Sequence, residues 1–251
     1  MKWFTGLNNH NKTLYDDYIK MYKVAVFTAK ETNPSIKPYL ILDGEIDDSV
    51  NELINMGVNV IQHRVSFSDK ILAHYKDDTI ALGAFLRIDI PKICETLKIE
   101  DEYILYTDND VYFIGDVTPI TNYKPEFFAA CGEFIPTLES MNMNSGVMWI
   151  NWKSMLNEYD DFVKYIVENF ANNMYDQDAL KKYYDGRITS LNPLFNYKPY
   201  WGPNNNIKIL HFHGPKPTFD EKKLKEFPFQ ALVTPFYREM TIKFNKKLET
   251  I

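Results

Sequence analysis

The sequence predicts an α/β fold in a single domain, and three observations predict it. Short apolar runs alternate with helical patterns through the first two-thirds of the 251 residues, as βαβ units do. Hydrophobic residues make up 45% of the chain, including 17 Tyr, 17 Phe and 4 Trp, so a full-sized core can be buried. No internal repeat and no flexible linker divides the chain, and α/β folds of about 250 residues commonly form one unit.

Trp3-Phe4 reads as the first strand. Thr13 to Thr32 follows as a helix: Leu14, Tyr18, Met21, Tyr22, Ala25 and Val26 recur at three- and four-residue steps, leaving Asp16, Asp17, Lys20 and Lys23 largely on the other face. Asn33-Pro34 ends it. Tyr39 to Leu42 is a strand, Ser49 to Met56 a helix stopped by Gly57, and Val58 to Ile61 the third strand. Thr79 to Leu97 is helical, with Arg87 inside its apolar stretch and Pro91 expected to break or kink it near Ile90. Glu102 to Phe113 is an apolar strand interrupted by Asp108-Asn109-Asp110. Strands at Phe127 to Ala130 and Gly146 to Ile150 come next, then a helix from about Trp152 to Phe170 and a helix start at Asp176 to Leu180. Leu191 to Asn206 is a loop rich in Asn, Pro and aromatics, in which Pro193, Pro199 and Pro203 forbid consecutive helical turns. Ile207 to Gly214 is the last short strand, and the Lys-rich tail from Thr218 is partly helical.

Charge and composition exclude several classes. Lys and Arg number 28 against 34 Asp and Glu, a net charge of -6, which argues against nucleic acid as a partner. Cys94 and Cys131 stand far apart, giving neither a disulfide framework nor a zinc ribbon, and fit a reducing compartment. The N-terminal MKWFTGLNNHNK lacks the apolar stretch of a signal peptide, and no run approaches the ~18 apolar residues of a membrane span. A cytoplasmic location is expected.

Asp108-Asn109-Asp110 is the strongest chemical signal. Residues i and i+2 of an extended segment point to one side, converging two carboxylates that repel each other unless a cation lies between them. An acidic turn or a helix cap is the bland alternative, but the triplet ends the most apolar strand, where open α/β sheets bind ligands. Oxygen donors suit magnesium or manganese. His211 and His213 share the same i, i+2 spacing before Gly214-Pro215-Lys216-Pro217, and one imidazole added to two carboxylates favours manganese over calcium.

Five segments in this order carry a family resemblance: Tyr103-Ile104-Leu105-Tyr106-Thr107-Asp108-Asn109-Asp110, Asn144-Ser145-Gly146-Val147-Met148, Asp176-Gln177-Asp178, Asn192-Pro193-Leu194-Phe195-Asn196 and His211-Phe212-His213-Gly214-Pro215-Lys216-Pro217. The chain resembles the retaining glycosyltransferases of family eight. The resemblance implies a GT-A (Rossmann-like) domain over residues 1–217, its central, mostly parallel mixed sheet flanked by helices, with a basic and aromatic extension over 218–251. It implies transfer of a hexose from a UDP-sugar to a glycan or glycolipid acceptor, with Mn2+ or Mg2+ as cofactor. Asp108, Asp110 and His211 match the metal ligands, and Asn109 a ribose or metal-shell contact. Arg87 matches the donor-contacting arginine, and its structural alternative is a pair with Asp89 or with a neighbouring helix. Thr5 and Gly6 match the turn holding the base, and Asn144, Ser145 and Gly146 approach the donor sugar, in place of the family's usual Asn-Ala-Gly. His213 and Lys216 match phosphate partners, although the last motif is one residue short and lacks the family's tryptophan. Asp176 and Gln177 would orient the sugar ring, and an N-cap role for Asp176 or Asp178 is the alternative.

Two other functions compete: a metal-dependent phosphohydrolase or nucleotidyltransferase, and an inactive carbohydrate-binding domain. The first does not need the late His-x-His segment joined to Asn-Ser-Gly and Asp-Gln-Asp, and the second would be marked by binding of UDP-sugar or glycan with no metal requirement and no turnover. Tyr197, Tyr200 and Trp201 are candidate acceptor platforms, or else cover the core edge. The tail's lysines and aromatics would suit an anionic membrane surface or an ordinary amphipathic helix.

Overall fold

The computed structural model describes residues 1–75, 79–139, 142–172 and 174–251. The chain runs β1 (Lys2–Asn8), α1 (Lys12–Thr32), β2 (Lys37–Asp43), α2 (Asp48–Asn55) and β3 (Asn59–Gln62), then α3 (Ser68–Tyr75), α4 (Thr79–Phe85) and α5 (Ile90–Thr96). β4 (Tyr103–Thr107), β5 (Val111–Phe113), β6 (Phe128–Gly132) and β7 (Met143–Asn151) follow, then α6 (Trp152–Asn157), α7 (Tyr159–Asn169), α8 (Asp176–Tyr183) and β8 (Thr189–Ser190). β9 (Ile209–His211), α9 (Glu221–Leu224), α10 (Phe229–Leu232) and α11 (Pro235–Leu248) complete it.

Seven strands form one sheet in the order β3-β2-β1-β4-β7-β6-β8, and β7 alone runs against the rest. The α/β class and mostly parallel mixed sheet are as expected. Strand alternation divides the core: Phe4, Ile104 and Tyr106 pack on one face, Trp3, Leu7 and Leu105 on the other. The chain leaves β1 towards β2 and returns past it to β4, so a crevice opens at the carboxyl ends of β1 and β4. β7 adds to that crevice because its reversed direction brings its first residues beside the last of β4, and the Asp108 N–H donates to the Gly146 carbonyl at 2.8 Å.

Several expected elements differ in detail. The first strand continues to Asn8, so Thr5 and Gly6 lie within it rather than in a turn. Pro91 starts α5 instead of breaking a helix, and Arg87 sits just before, on a 3₁₀ turn over Leu86–Asp89. Trp152 to Phe170 is two α-helices that meet at Glu158, whose carboxylate accepts from Arg187 Nη1 at 2.8 and 3.1 Å. The last strand is only Ile209–His211 and pairs with β5 in a separate two-stranded ribbon, with Val111 opposite His211. Tyr237 and Phe244 of the tail are buried against Met21 and Val24 of α1 and against Phe212. These tail aromatics are core. No helix among the described residues is long and apolar enough to cross a membrane.

Candidate active site

Asp108 and Asp110 do not lie in an extended segment as expected. They occupy the turn between β4 and β5, and β5 then pairs with β9, which delivers His211 to both. His211 Nε2 is 3.3 Å from Asp110 Oδ1 and 3.9 Å from Asp108 Oδ2. The ligand atoms of the three residues lie within 4.8 Å of one another. Two carboxylates and an imidazole form a donor set suited to a divalent cation. Beside them Asn109 donates through Nδ2 to the Gly6 carbonyl at 2.9 Å, and its buried Oδ1 has no partner among the described residues. A buried acceptor left over next to a carboxylate pair fits a cation or its bound water.

Arg87 organises the second side of the site. Its Nη2 donates to Asp108 Oδ1 at 2.8 Å, its Nη1 to the Ser145 carbonyl at 3.0 Å and Ser145 Oγ at 2.8 Å, and its Nε lies 2.9 Å from Asp176 Oδ2. Burial works against the guanidinium charge, but Asp108 and Asp176 outweigh it and hold Arg87 above its ordinary pKa. Burial likewise pushes Asp176 up, and Arg87 offsets part of that. Of the structural alternatives weighed from sequence, the pair with Asp89 is not formed, since Asp89 accepts from His63 and the Ser66 N–H, each at 2.7 Å, and from Tyr159, whereas the pair with a neighbouring helix is formed through Asp176 of α8. Nor does Asp176 or Asp178 cap α8, whose N-cap is Tyr175 without a side-chain bond.

Ser145, where the resembled family usually has alanine, uses its hydroxyl twice: it accepts from Arg87 and donates to Gln177 Oε1 at 3.2 Å. The same Gln177 oxygen accepts from the Ser145 N–H at 2.9 Å and Asn144 Nδ2 at 3.2 Å. Gly146 is required by space, since a Cβ there would stand 2.1 Å from His211 Cε1. Lys216 donates to Asp110 and to the Phe212 carbonyl. Burial opposes both charges of that pair, yet their attraction wins, holding Lys216 above and Asp110 well below its ordinary value.

A pocket between α1, β1, α4 and the β4 end is lined by Gly6, Arg87, Asp108, Asn109, Asp110 and Lys216, and also by Asn8 and Tyr18. Thr5 is not among its walls; its hydroxyl donates to the Thr107 carbonyl inside the sheet. His213, 5.7 Å from His211 between ring centres, faces Glu133 instead, its Nε2 3.3 Å from Oε1.

Glu133 was not singled out from sequence. It gathers Gln177 Nε2 at 2.9 Å, Lys181 Nζ at 3.4 Å and His213. Burial raises its pKa, but His213, Gln177 and Lys181 together override that and bring it down to about 2. In sequence it is one acid after a glycine, and nothing in its neighbours marks it. Tyr197, Tyr200 and Trp201 spend their polar ends on the chain: Tyr197 on the Gly202 carbonyl at 3.0 Å, Tyr200 on that of Glu133 at 2.9 Å, Trp201 on that of Phe134 at 2.8 Å.

The sheet order, the reversed β7 and the Asp-x-Asp turn define a GT-A domain. Solved structures agree. The galactosyltransferase LgtC, in complex with donor and acceptor sugar analogues, matches with a TM-score of 0.70 at 16% identity, over 100% of this chain and 96% of that one. The glycosyltransferase GlyE of Streptococcus pneumoniae TIGR4 matches at 0.65 and 18% identity, over 98% of this chain and 64% of that one. Mouse xyloside xylosyltransferase 1 matches at 0.57 and 14% identity, over 84% of this chain and 96% of that one. The chain thus has the GT-A glycosyltransferase fold. No protein-family model and no curated protein matches it by sequence.

Proposed function

We propose that the protein is a divalent-metal-dependent glycosyltransferase that moves a hexose from a nucleoside diphosphate sugar, UDP-hexose by the motif resemblance, to a glycan or lipid-linked hydroxyl with retention at the anomeric carbon. The observation that carries this is the cluster of Asp108, Asp110 and His211, whose two acids line a pocket at the β1/β4 crevice of a GT-A fold.

Charge supports the choice of cofactor and donor. Arg87 and Lys216 stand against Asp108, Asp110 and Asp176, one negative charge in excess, so a diphosphate alone would meet repulsion. A divalent cation there, Mn2+ or Mg2+, would reverse that sign and supply Lewis-acid stabilisation of the leaving diphosphate. Asp108, Asp110 and His211 would hold it.

The chain's own residues bind and orient. Lys216, anchored by Asp110 and the Phe212 carbonyl, would present its one remaining N–H to phosphate, and Asn109 would hold the base of the pocket against Gly6. Arg87 locks the Asn144-Ser145 segment at the place of the donor sugar. Gln177, with its oxygen spent on that segment, supports it and is too weak a nucleophile to form a good covalent intermediate. Front-face transfer, in which a donor phosphate oxygen takes the acceptor's proton, then needs no side-chain base. Buried free Cys94 and Cys131 accord with a reducing, cytoplasmic setting, and Phe227, 94% exposed among Lys222, Lys223 and Lys225, is a candidate peripheral membrane contact.

The test is binding and turnover together. UDP is expected to stabilise the protein only with Mn2+, and UDP-hexoses to be consumed in the presence of a glycan acceptor. Equal stabilisation by all nucleotides, with phosphate release, would replace the transferase with a phosphohydrolase or nucleotidyltransferase; metal-independent sugar binding without turnover would indicate an inactive binding domain.

A further inference from the structure

The direction of a buried hydrogen-bond relay decides which nitrogen of His211 faces the carboxylates. The relay starts at a donor that cannot be reversed, the backbone N–H of Gly146, which donates to Asn144 Oδ1 at 3.2 Å. Asn144 Oδ1 is therefore an acceptor, and its own Nδ2 turns to Gln177 Oε1. The group of Asn196 that meets Asn144 Oδ1, at 2.9 Å, must then be its Nδ2 donor. That leaves Asn196 Oδ1 for His211 Nδ1, 2.9 Å away, so the imidazole donates from Nδ1. In the neutral ring Nε2 then carries the lone pair, and it faces Asp108 and Asp110.

Asn196 is fully buried and cannot turn away. Its backbone carbonyl accepts from Lys198 Nζ at 2.9 Å, and Lys198, also fully buried, donates to the Gly132 carbonyl at 3.2 Å as well. An ammonium thus ties the backbone of Asn196 to the end of β6, while the Asn196 side chain sets the ring of His211.

We propose that Asn196 is a positioning residue for the divalent-metal centre: it fixes His211 as the Nδ1–H tautomer so that Nε2 is presented as a ligand, with Lys198 holding Asn196 in place. This rests on the metal-dependent reading above. An outer-shell partner of a metal-bound histidine typically contributes 10–100-fold to metal affinity.

The experiment uses Mn2+ alone, titrated into the full chain and followed by the electron paramagnetic resonance of free Mn2+, so no turnover is needed. Asn196→Leu, which keeps the branching of asparagine without its polar atoms, is expected to weaken Mn2+ binding by about 10–100-fold. Asn196→Asp keeps an acceptor for Nδ1–H but sets a second acceptor against Asn144 Oδ1, and is expected to restore only part of the loss. Long-range ¹H–¹⁵N spectra of the wild-type neutral ring are expected to show His211 protonated on Nδ1, a readout that general loosening of the loop would not produce and that stands even where Asn196→Leu folds poorly. Wild-type Mn2+ affinity in a folded Asn196→Leu protein, or a neutral ring protonated on Nε2, overturns the role of Asn196 and leaves the metal-dependent reading intact. No Mn2+ binding by the wild type overturns both.

Discussion

Gln177 donates through Nε2 to Glu133 Oε1 at 2.9 Å, while its Oε1 accepts from the Ser145 N–H at the same distance. A backbone N–H only donates, so the amide has one possible orientation, and Glu133 closes it from the other end. Replacing Glu133 with alanine frees the amide to rotate and releases Lys181 and His213. The expected result is a fall in kcat of about tenfold with little change in donor KM, the pattern for a group that orients without binding. Glu133→Gln retains an acceptor oxygen and is expected to stay within a few-fold of wild type. Steady-state kinetics on the two variants decides it, and equal losses in both would show that charge, not orientation, matters.

Asp110→Ala strands the ammonium of Lys216. Removing one partner of a buried pair costs about 3–5 kcal/mol, and the lower end applies because the Lys216 side chain keeps 18% exposure. A loss of about 3 kcal/mol lowers Tm by roughly 6–12 °C in a chain of this size. The double variant Asp110→Ala with Lys216→Met is expected to recover much of that in calorimetry without recovering Mn2+ binding. Full additivity of the two single effects would refute the coupling.

Gly146→Ala places a methyl 2.1 Å from His211 Cε1, a separation that forces the ring away. Overpacking of this kind costs about 1–3 kcal/mol, which a domain of this size survives. Mn2+ affinity is expected to drop by on the order of tenfold or more. A folded variant that binds Mn2+ normally would mean that His211 is not a ligand.

Lys198 predicts a pH dependence of stability. Burial pushes its pKa down to about 8, partly offset by Cys131 and Glu133. Below about 8 both folded and unfolded chains hold the proton, and this group contributes no slope. From about 8 towards its ordinary 10.5 the folded chain has released the proton and the unfolded chain has not, so stability rises with pH. Buried tyrosines such as Tyr22 act in the opposite direction above pH 10, because burial raises them in the folded state. Burial also holds the Cys94 and Cys131 thiols above their ordinary 9, which lowers stability from about pH 9 upward, so between pH 8 and 10 the urea midpoint of wild type is expected to rise relative to that of Lys198→Met. Parallel curves would mean that Lys198 is not buried as a cation.

What sequence could reveal depended on whether the signal was local. Asp108 and Asp110 are two residues apart at the end of an apolar run, and His211 recurs in a short motif, so the candidate metal centre was readable. The reversal of β7 was not, because an apolar strand has no direction written in its composition. Asn196 stood inside a recognised motif, yet its partner His211 is 15 residues away and buried, so no pattern assigned it a task. Glu133 was invisible for the same reason: its partners arrive from α8 and from the segment after β9. The carboxylates converge through a turn, where an extended strand was expected, since β5 must bend away to meet β9.

The ribbon of β5 and β9 has a consequence for the newly made chain. Asp108 and Asp110 are synthesised about a hundred residues before His211 and Lys216, and the pairing of β5 with β9, continued by the Phe212 N–H donating to the Asp110 carbonyl at 2.9 Å, brings them together. Contacts of such separation form late, after the loop-closure entropy has been met. A nascent chain, or one clipped ahead of β9, keeps its two acids without their histidine and lysine. On the metal-dependent reading, cation binding by all three ligands would have to await the docking of the last strand.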